Sequence, residues 1–142
     1  MNQKLFAAFA AVSLSFGVAG SAFAIEPVTP QPSSPLSFSD PAYTKVVPAE
    51  AKKMIEAGVP VIDLREPHEF EAGHIKGSVN VPLSTFKAGM RLKEIPNVNE
   101  KVLLVCRSGV RSEKAARILV ESGYKKVYNM YGTTQWPYGL VR

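Results

Sequence analysis

An α/β fold with a mainly parallel sheet is predicted from three features of the chain. Short β-branched apolar runs at residues 44–47, 59–64, 78–81, 101–105 and 127–130 are separated mostly by helix-like stretches. That alternation builds βαβ units rather than hairpins. The run Lys101-Val102-Leu103-Leu104-Val105 is continuous rather than alternating, as expected of a central strand buried on both faces. The composition, 46% hydrophobic and 20% charged, is that of a globular domain and excludes disordered, collagen-like and coiled-coil classes. At 142 residues the chain has room for one such domain.

In chain order, residues 1–24 read as a removable export signal. Lys4 gives the positive start, residues 5–18 are apolar apart from small polar side chains, and Ala22-Phe23-Ala24 has the form of a signal-peptidase site. The uninterrupted apolar portion is too short for a membrane anchor. Export to a bacterial periplasm is the simplest expectation, with no stable membrane association after signal cleavage. Residues 25–42, with Pro27, Pro30, Pro32 and Pro35, read as an extended linker, which leaves a domain over 43–142.

Within that domain residues 44–47 form an edge strand. Pro48 suits the first turn of a helix over 49–57, stopped by Gly58. Residues 59–64 form a strand with Pro60 at its start, where a missing N–H is tolerated. One or two helical turns follow over 67–72, ending at Gly73. Residues 78–81 are a short strand closed by Pro82, and Ser84 or Thr85 is expected to cap a helix running to about Ile95. After the central strand, Ala115, Ala116, Leu119 and Val120 recur at helical spacing over 112–122, with Gly123 as the stop. Residues 127–130 are the last strand and 132–138 a turn or short helix.

The chemistry gathers at Cys106-Arg107-Ser108-Gly109-Val110-Arg111, between the central strand and that helix. Ligands bind at the carboxyl ends of strands in open α/β sheets. A lone cysteine ending an apolar strand, taken without its setting, is a small core hydrophobe. The setting reverses that. A wrapped loop turns the amides of Arg107, Ser108, Gly109, Val110 and Arg111 inward as an anion nest, and the helix start adds its positive end. Gly109 allows the tight turn, and Arg107 and Arg111 add permanent positive charge. A thiol at the centre is stabilised as thiolate. It is also the chain's single cysteine, and an unpaired cysteine in an exported protein is flagged as reactive. The formal charge of +5 is spread among interleaved acidic residues without aromatic-basic patterning. No nucleic-acid partner is expected, while small anions are drawn in.

Residues 63–82, from Asp63-Leu64-Arg65-Glu66-Pro67-His68-Glu69 through Gly73-His74-Ile75 to Val81-Pro82, resemble the entry motif of rhodanese domains. The loop 106–111 with Ser112 and Ala115-Ala116 resembles their active-site loop, and Gly123-Tyr124 to Met130 the segment that follows. The most similar type is the exported single-domain thiosulfate sulfurtransferase. The resemblance implies a five-stranded, mainly parallel sheet with helices on both faces. It implies a double displacement in which Cys106 takes the outer sulfur of thiosulfate and passes it, as a persulfide, to cyanide or a thiol acceptor, including a periplasmic thiol protein. It implies no cofactor and no metal. Arg107, Ser108, Gly109, Val110 and Arg111 are then substrate-binding, Arg111 being the loop-closing arginine, which also suits a salt bridge to the fold. Arg107 faces substrate or solvent. Asp63 and Arg65 match positions near the pocket floor and are expected to form a structural ion pair or to anchor the loop, because a buried Asp needs a partner. His74 is expected to be structural, Glu69 a solvated residue or salt-bridge partner, and Trp136 packing. Thr133 and Gln135 stand where the family usually has glycine and alanine, which points to a more polar rim and bears on acceptor choice; Val110 is apolar where a polar residue is common.

Two other functions compete. Cysteine-dependent phosphatases and arsenate reductases use a similar thiolate, nest and arginine, but with one or two more loop residues than the six here. A persulfide carrier or redox-binding module would use the same loop without free turnover.

Overall fold

A computed structural model describes residues 36–142, so the expectations for residues 1–35 lie outside the described residues. In chain order the elements are β1 (Tyr43–Lys45), α1 (Pro48–Glu56), β2 (Val61–Asp63), α2 (Pro67–Ala72), β3 (Val79–Asn80), a 3₁₀ turn (Leu83–Thr85), β4 (Val102–Cys106), α3 (Val110–Glu121) and β5 (Val127–Gly132). The strands form one sheet in the order β1-β5-β4-β2-β3, with all four pairings parallel.

β4 is the centre and is buried along its whole length. Its side chains alternate between faces, as strand geometry dictates. Val102, Leu104 and Cys106 join a cluster with Ala115, Ala116 and Leu119 of α3, while Leu103 and Val105 join another with Ala51 of α1, Val61 and Met130. Helices therefore cover both faces. Leu103 and Leu104 are wholly buried, each contributing about 1.5–3 kcal/mol of hydrophobic free energy. All strands run one way, so their carboxyl ends lie at one edge of the sheet, where Asp63 and Cys106 sit.

Three local outcomes bear on the sequence expectations. Pro48 begins α1 and Gly58, at φ +97°, follows its end, as the residue types require. The helix expected from Ser84 or Thr85 to Ile95 does not form; only the 3₁₀ turn does. Gly89 turns at φ +80°, and the backbone is tied to distant side chains instead: Leu92 N–H donates to the Tyr124 hydroxyl (2.8 Å) and Gly89 N–H to Ser122 Oγ (2.8 Å). Phe86, Leu92 and Ile95 are buried as separate anchors. Finally, α3 starts at Val110, two residues before the expected start, so Arg111 lies in its first turn. Packing already begins ahead of β1: Phe38 lies against Tyr43, with ring centroids 5.0 Å apart, and under the Arg117 guanidinium.

Candidate active site

The chain leaves β4 at Cys106 and enters α3 at Val110, with residues 107–109 as the connection. Gly109 caps the helix at φ +109°, a left-handed conformation that glycine adopts without strain. This turn aims the Gly109 N–H at Cys106 Sγ, 3.0 Å away. The N–H groups of Val110, Arg111 and Ser112 open the helix and have no intrahelical acceptor. The sulfur thus lies at the positive end of a twelve-residue helix with one amide already donating to it. Cys106 is only 1% exposed and makes no disulfide.

The connection is held from β5. Thr133 N–H donates to the Cys106 carbonyl (2.9 Å), and Thr134 donates to the Arg107 carbonyl through both N–H (3.2 Å) and Oγ1 (2.8 Å). Buried Asn129 donates from Nδ2 to the Gly109 carbonyl and to the Tyr43 hydroxyl, both at 3.0 Å, and Tyr43 donates on to Glu113 (3.0 Å). Glu113 also accepts from Phe38 N–H (3.1 Å). Burial pushes the Tyr43 phenol far above its ordinary range, so it stays a donor to this carboxylate. Among the described residues Ser112 Oγ is the one buried side-chain polar atom without a hydrogen-bond partner.

Each residue marked by the sequence has a definite place. Asp63 and Arg65 form a buried ion pair (Nη2 to Oδ2, 2.8 Å), and Arg65 also donates to the Gly73 carbonyl (2.7 Å). Asp63 Oδ1 accepts from Arg65 N–H as well (3.0 Å), which fixes the turn after β2. Arg111 is held by Glu69 through two hydrogen bonds, 2.8 and 3.1 Å. Arg107 and Ser108 are exposed, whereas Gly109 is buried and Val110 half-buried. His74 stacks on Phe70 and donates from Nδ1 to its carbonyl (2.8 Å), a packing role. Trp136 packs beside the second core cluster. A cleft of about 300 Å³ is lined by Arg65, Glu69, Ala72, Arg107, Thr133 and Thr134. Asn129, Glu113 and Tyr43 were not singled out by the sequence. A polar residue inside an otherwise apolar strand and an acid in a helix's first turn were the available signals.

The Arg111 hydrogen bonds hold the Glu69 carboxyl down to about 2, from an ordinary 4.5, and Glu69 in turn raises Arg111. A carboxylate with a depressed value stabilises the fold above its unfolded value and loses that contribution as pH falls. The pair is partly exposed, so screening leaves about 1–2 kcal/mol. Urea unfolding from pH 5 to pH 2 should show wild type losing that much more stability than Glu69→Gln; parallel curves would mean the pair contributes nothing.

The arrangement sets a strand-end sulfur at a helix start whose first turn carries a clamped arginine, with a small cleft lined by Arg107 and Glu69, and comparison with known proteins places it. The sequence model described as a rhodanese-like domain matches residues 47–136, more than half of the chain. The thiosulfate sulfurtransferase GlpE of Haemophilus influenzae is 29% identical over 91 residues, covering 64% of this chain and 84% of its own length. The putative sulfur carrier protein YrkF of Bacillus subtilis is 40% identical over 77 residues, covering 54% of this chain and 40% of its own length, so the chain spans well under half of that relative. Among solved structures, a rhodanese with anions from E. coli is similar at 30% identity with a TM-score of 0.54, covering 60% of this chain and 99% of that one. With the parallel sheet, the cysteine at its centre and the matched residues in agreement, the chain belongs to the rhodanese-like domain family.

Proposed function

We propose that this chain is a sulfurtransferase that takes the outer sulfur of a thiosulfate-type donor onto Cys106 and passes it to cyanide or a thiol. The carrying observation is the Gly109 N–H directed at Cys106 Sγ (3.0 Å) at the start of α3. Amides at that position stabilise the thiolate before attack and the anionic persulfide after it. In the first step the thiolate attacks the donor's outer sulfur, the donor's S–S bond breaks, and its electron pair leaves with sulfite. In the second step the acceptor attacks the persulfide's outer sulfur and releases the thiolate. No general base is required once the thiol is ionised. A thiol only 1% exposed suits the delivery of a single atom, and a helix beginning at Val110 leaves a tight turn, which argues against a phosphatase. The periplasmic location, and a periplasmic thiol protein as acceptor, belong to the same proposal and are supported by the signal-like residues 1–24.

Intact mass spectrometry tests this. Incubation with millimolar thiosulfate should add one sulfur atom to the protein, and cyanide should remove it; the absence of any added sulfur would overturn the reaction class. The similarity to YrkF favours a carrier as the second possibility. Loading from a partner protein's persulfide, with no turnover of thiosulfate and cyanide, would select it.

A further inference from the structure

We propose that Tyr43 is a positioning residue for the chemistry at Cys106, acting through Asn129 to hold the Gly109 peptide in the orientation that directs a main-chain N–H at the sulfur. This rests on the sulfurtransferase function proposed above and gives that site a support from outside its own loop.

Four residues close a ring of hydrogen bonds on one atom, the Gly109 carbonyl oxygen. It accepts from Glu113 N–H (3.0 Å), the first bond of α3, and from Asn129 Nδ2 (3.0 Å). The second hydrogen of Nδ2 goes to the Tyr43 hydroxyl (3.0 Å), and Tyr43 donates to Glu113 Oε1 (3.0 Å), which returns the path to α3. The direction of each bond is forced. A carboxylate only accepts, so the single Tyr43 hydrogen faces Glu113 and its oxygen is left for Asn129. Asn129 Oδ1 is taken by Tyr131 N–H (2.8 Å), so Nδ2 is the end that faces Gly109 and Tyr43. Asn129 is wholly buried, and Tyr43 and Glu113 are buried with it. An amide turned away from these partners would lose its bonds without replacement by water.

Peptide geometry makes this carbonyl matter. Glycine is the residue whose backbone turns most freely, and Gly109, at φ +109°, joins the loop to α3. A trans peptide is planar, so fixing the Gly109 C=O also fixes the Val110 N–H, which points the opposite way and is a free donor at the helix start. On its other side Gly109 offers its own N–H to Cys106 Sγ at 3.0 Å. With both lone pairs of its carbonyl engaged, Gly109 keeps that donor on the sulfur. Tyr43 stands at the far end of the path. Neither it nor Phe38, whose N–H donates to Glu113 Oε2 (3.1 Å), belongs to the residues 47–136 matched by the family model. The segment ahead of the matched domain thus helps to hold the loop.

Tyr43→Phe removes one oxygen and keeps the ring that packs on Phe38. Persulfide formation at saturating thiosulfate, followed by intact mass, should slow about tenfold, while the half-saturating concentration changes less than about twofold. In proton–nitrogen correlation spectra the Gly109 amide, recognised as the glycine signal most displaced in Cys106→Ser, should move upfield as its bond to sulfur weakens. Asn129→Ala should reproduce both effects, and adding Tyr43→Phe to it should slow the reaction less than about twofold further, because the path is already cut. Ile95→Val, a buried change that shares none of these bonds, lowers stability by its lost packing and should leave rate and signal in place. A wild-type rate with an unmoved Gly109 signal in Tyr43→Phe, or an equal slowing in Ile95→Val, would overturn the inference. Should Asn129→Ala not fold, Tyr43→Phe decides it alone. If wild type gains no sulfur from thiosulfate, the function itself fails, and the Gly109 signal still reports whether Tyr43 holds the peptide.

Discussion

Cys106→Ser is expected to abolish sulfur transfer, by on the order of 10³-fold or more, while the protein remains folded. The substitution keeps a small side chain at the end of β4, where the Gly109 N–H has an acceptor at 3.0 Å. A hydroxyl oxygen also accepts that bond, more weakly than a thiolate because the bond is no longer charge-assisted. It is not ionised by it, because an alcohol starts far less acidic than a thiol, and the loop's amides cannot close that gap. The fold should register only a burial cost. At 1% exposure a hydroxyl donor without a partner costs about 1–3 kcal/mol, and each kcal/mol lowers the melting temperature of a domain this size by roughly 4–8 °C. Thermal melting followed by circular dichroism, alongside thiosulfate–cyanide turnover, separates the two effects. A folded variant that still transfers sulfur would remove Cys106 from the mechanism. Collapse of the fold would instead assign the cysteine to the core, where its neighbours Leu104 and Leu119 already lie.

What the sequence made legible follows from the range over which its signals act. β4, its terminal cysteine and α3 are encoded within twenty residues, by a run of apolar side chains and then a helical period. The Asp63–Arg65 pair was legible too, since both partners belong to one turn and a buried acid demands a cation. The segment after Thr85 was not. Its apolar residues suggested a helix, but its Leu92 and Gly89 N–H groups are satisfied by Tyr124 and Ser122, about thirty residues further on. The network that fixes the loop is longer still. Tyr43 and Asn129 are separated by 86 positions, and Tyr43 and Glu113 by 70. Only when β1 pairs with β5, Tyr43 opposite Val127, does the Tyr43 hydroxyl come within reach of Asn129 two residues further on. No local pattern foretells which polar residue of β5 will turn inward.

The same distance dependence makes Gly132→Ala the more damaging substitution for the fold. Gly132 closes β5 opposite Cys106, after an irregularity in the β4–β5 register. A Cβ there would lie 1.9 Å from the Arg107 carbonyl oxygen, 2.1 Å from its carbon and 2.4 Å from Ser108 N. All three are backbone atoms, so no side-chain rotation relieves the clash. Either β5 withdraws or the loop is displaced, and overpacking of this kind costs about 3 kcal/mol or more. Withdrawal breaks the bonds from Thr133 and Thr134 to the Cys106 and Arg107 carbonyls. Displacement of the loop misdirects the Gly109 N–H from the sulfur. A shift of about 1 Å at reacting atoms costs on the order of 10²-fold in rate. Urea unfolding should therefore show a large loss of stability, and persulfide formation by intact mass should slow even where the variant is fully folded. Thr133→Gly provides the contrast: it adds no atom at the next position and leaves the main-chain bond to the Cys106 carbonyl in place, so it should retain the fold. If Gly132→Ala matched wild type in both measurements, the close passage of β5 against the 107–109 connection would not be what holds the cysteine in place.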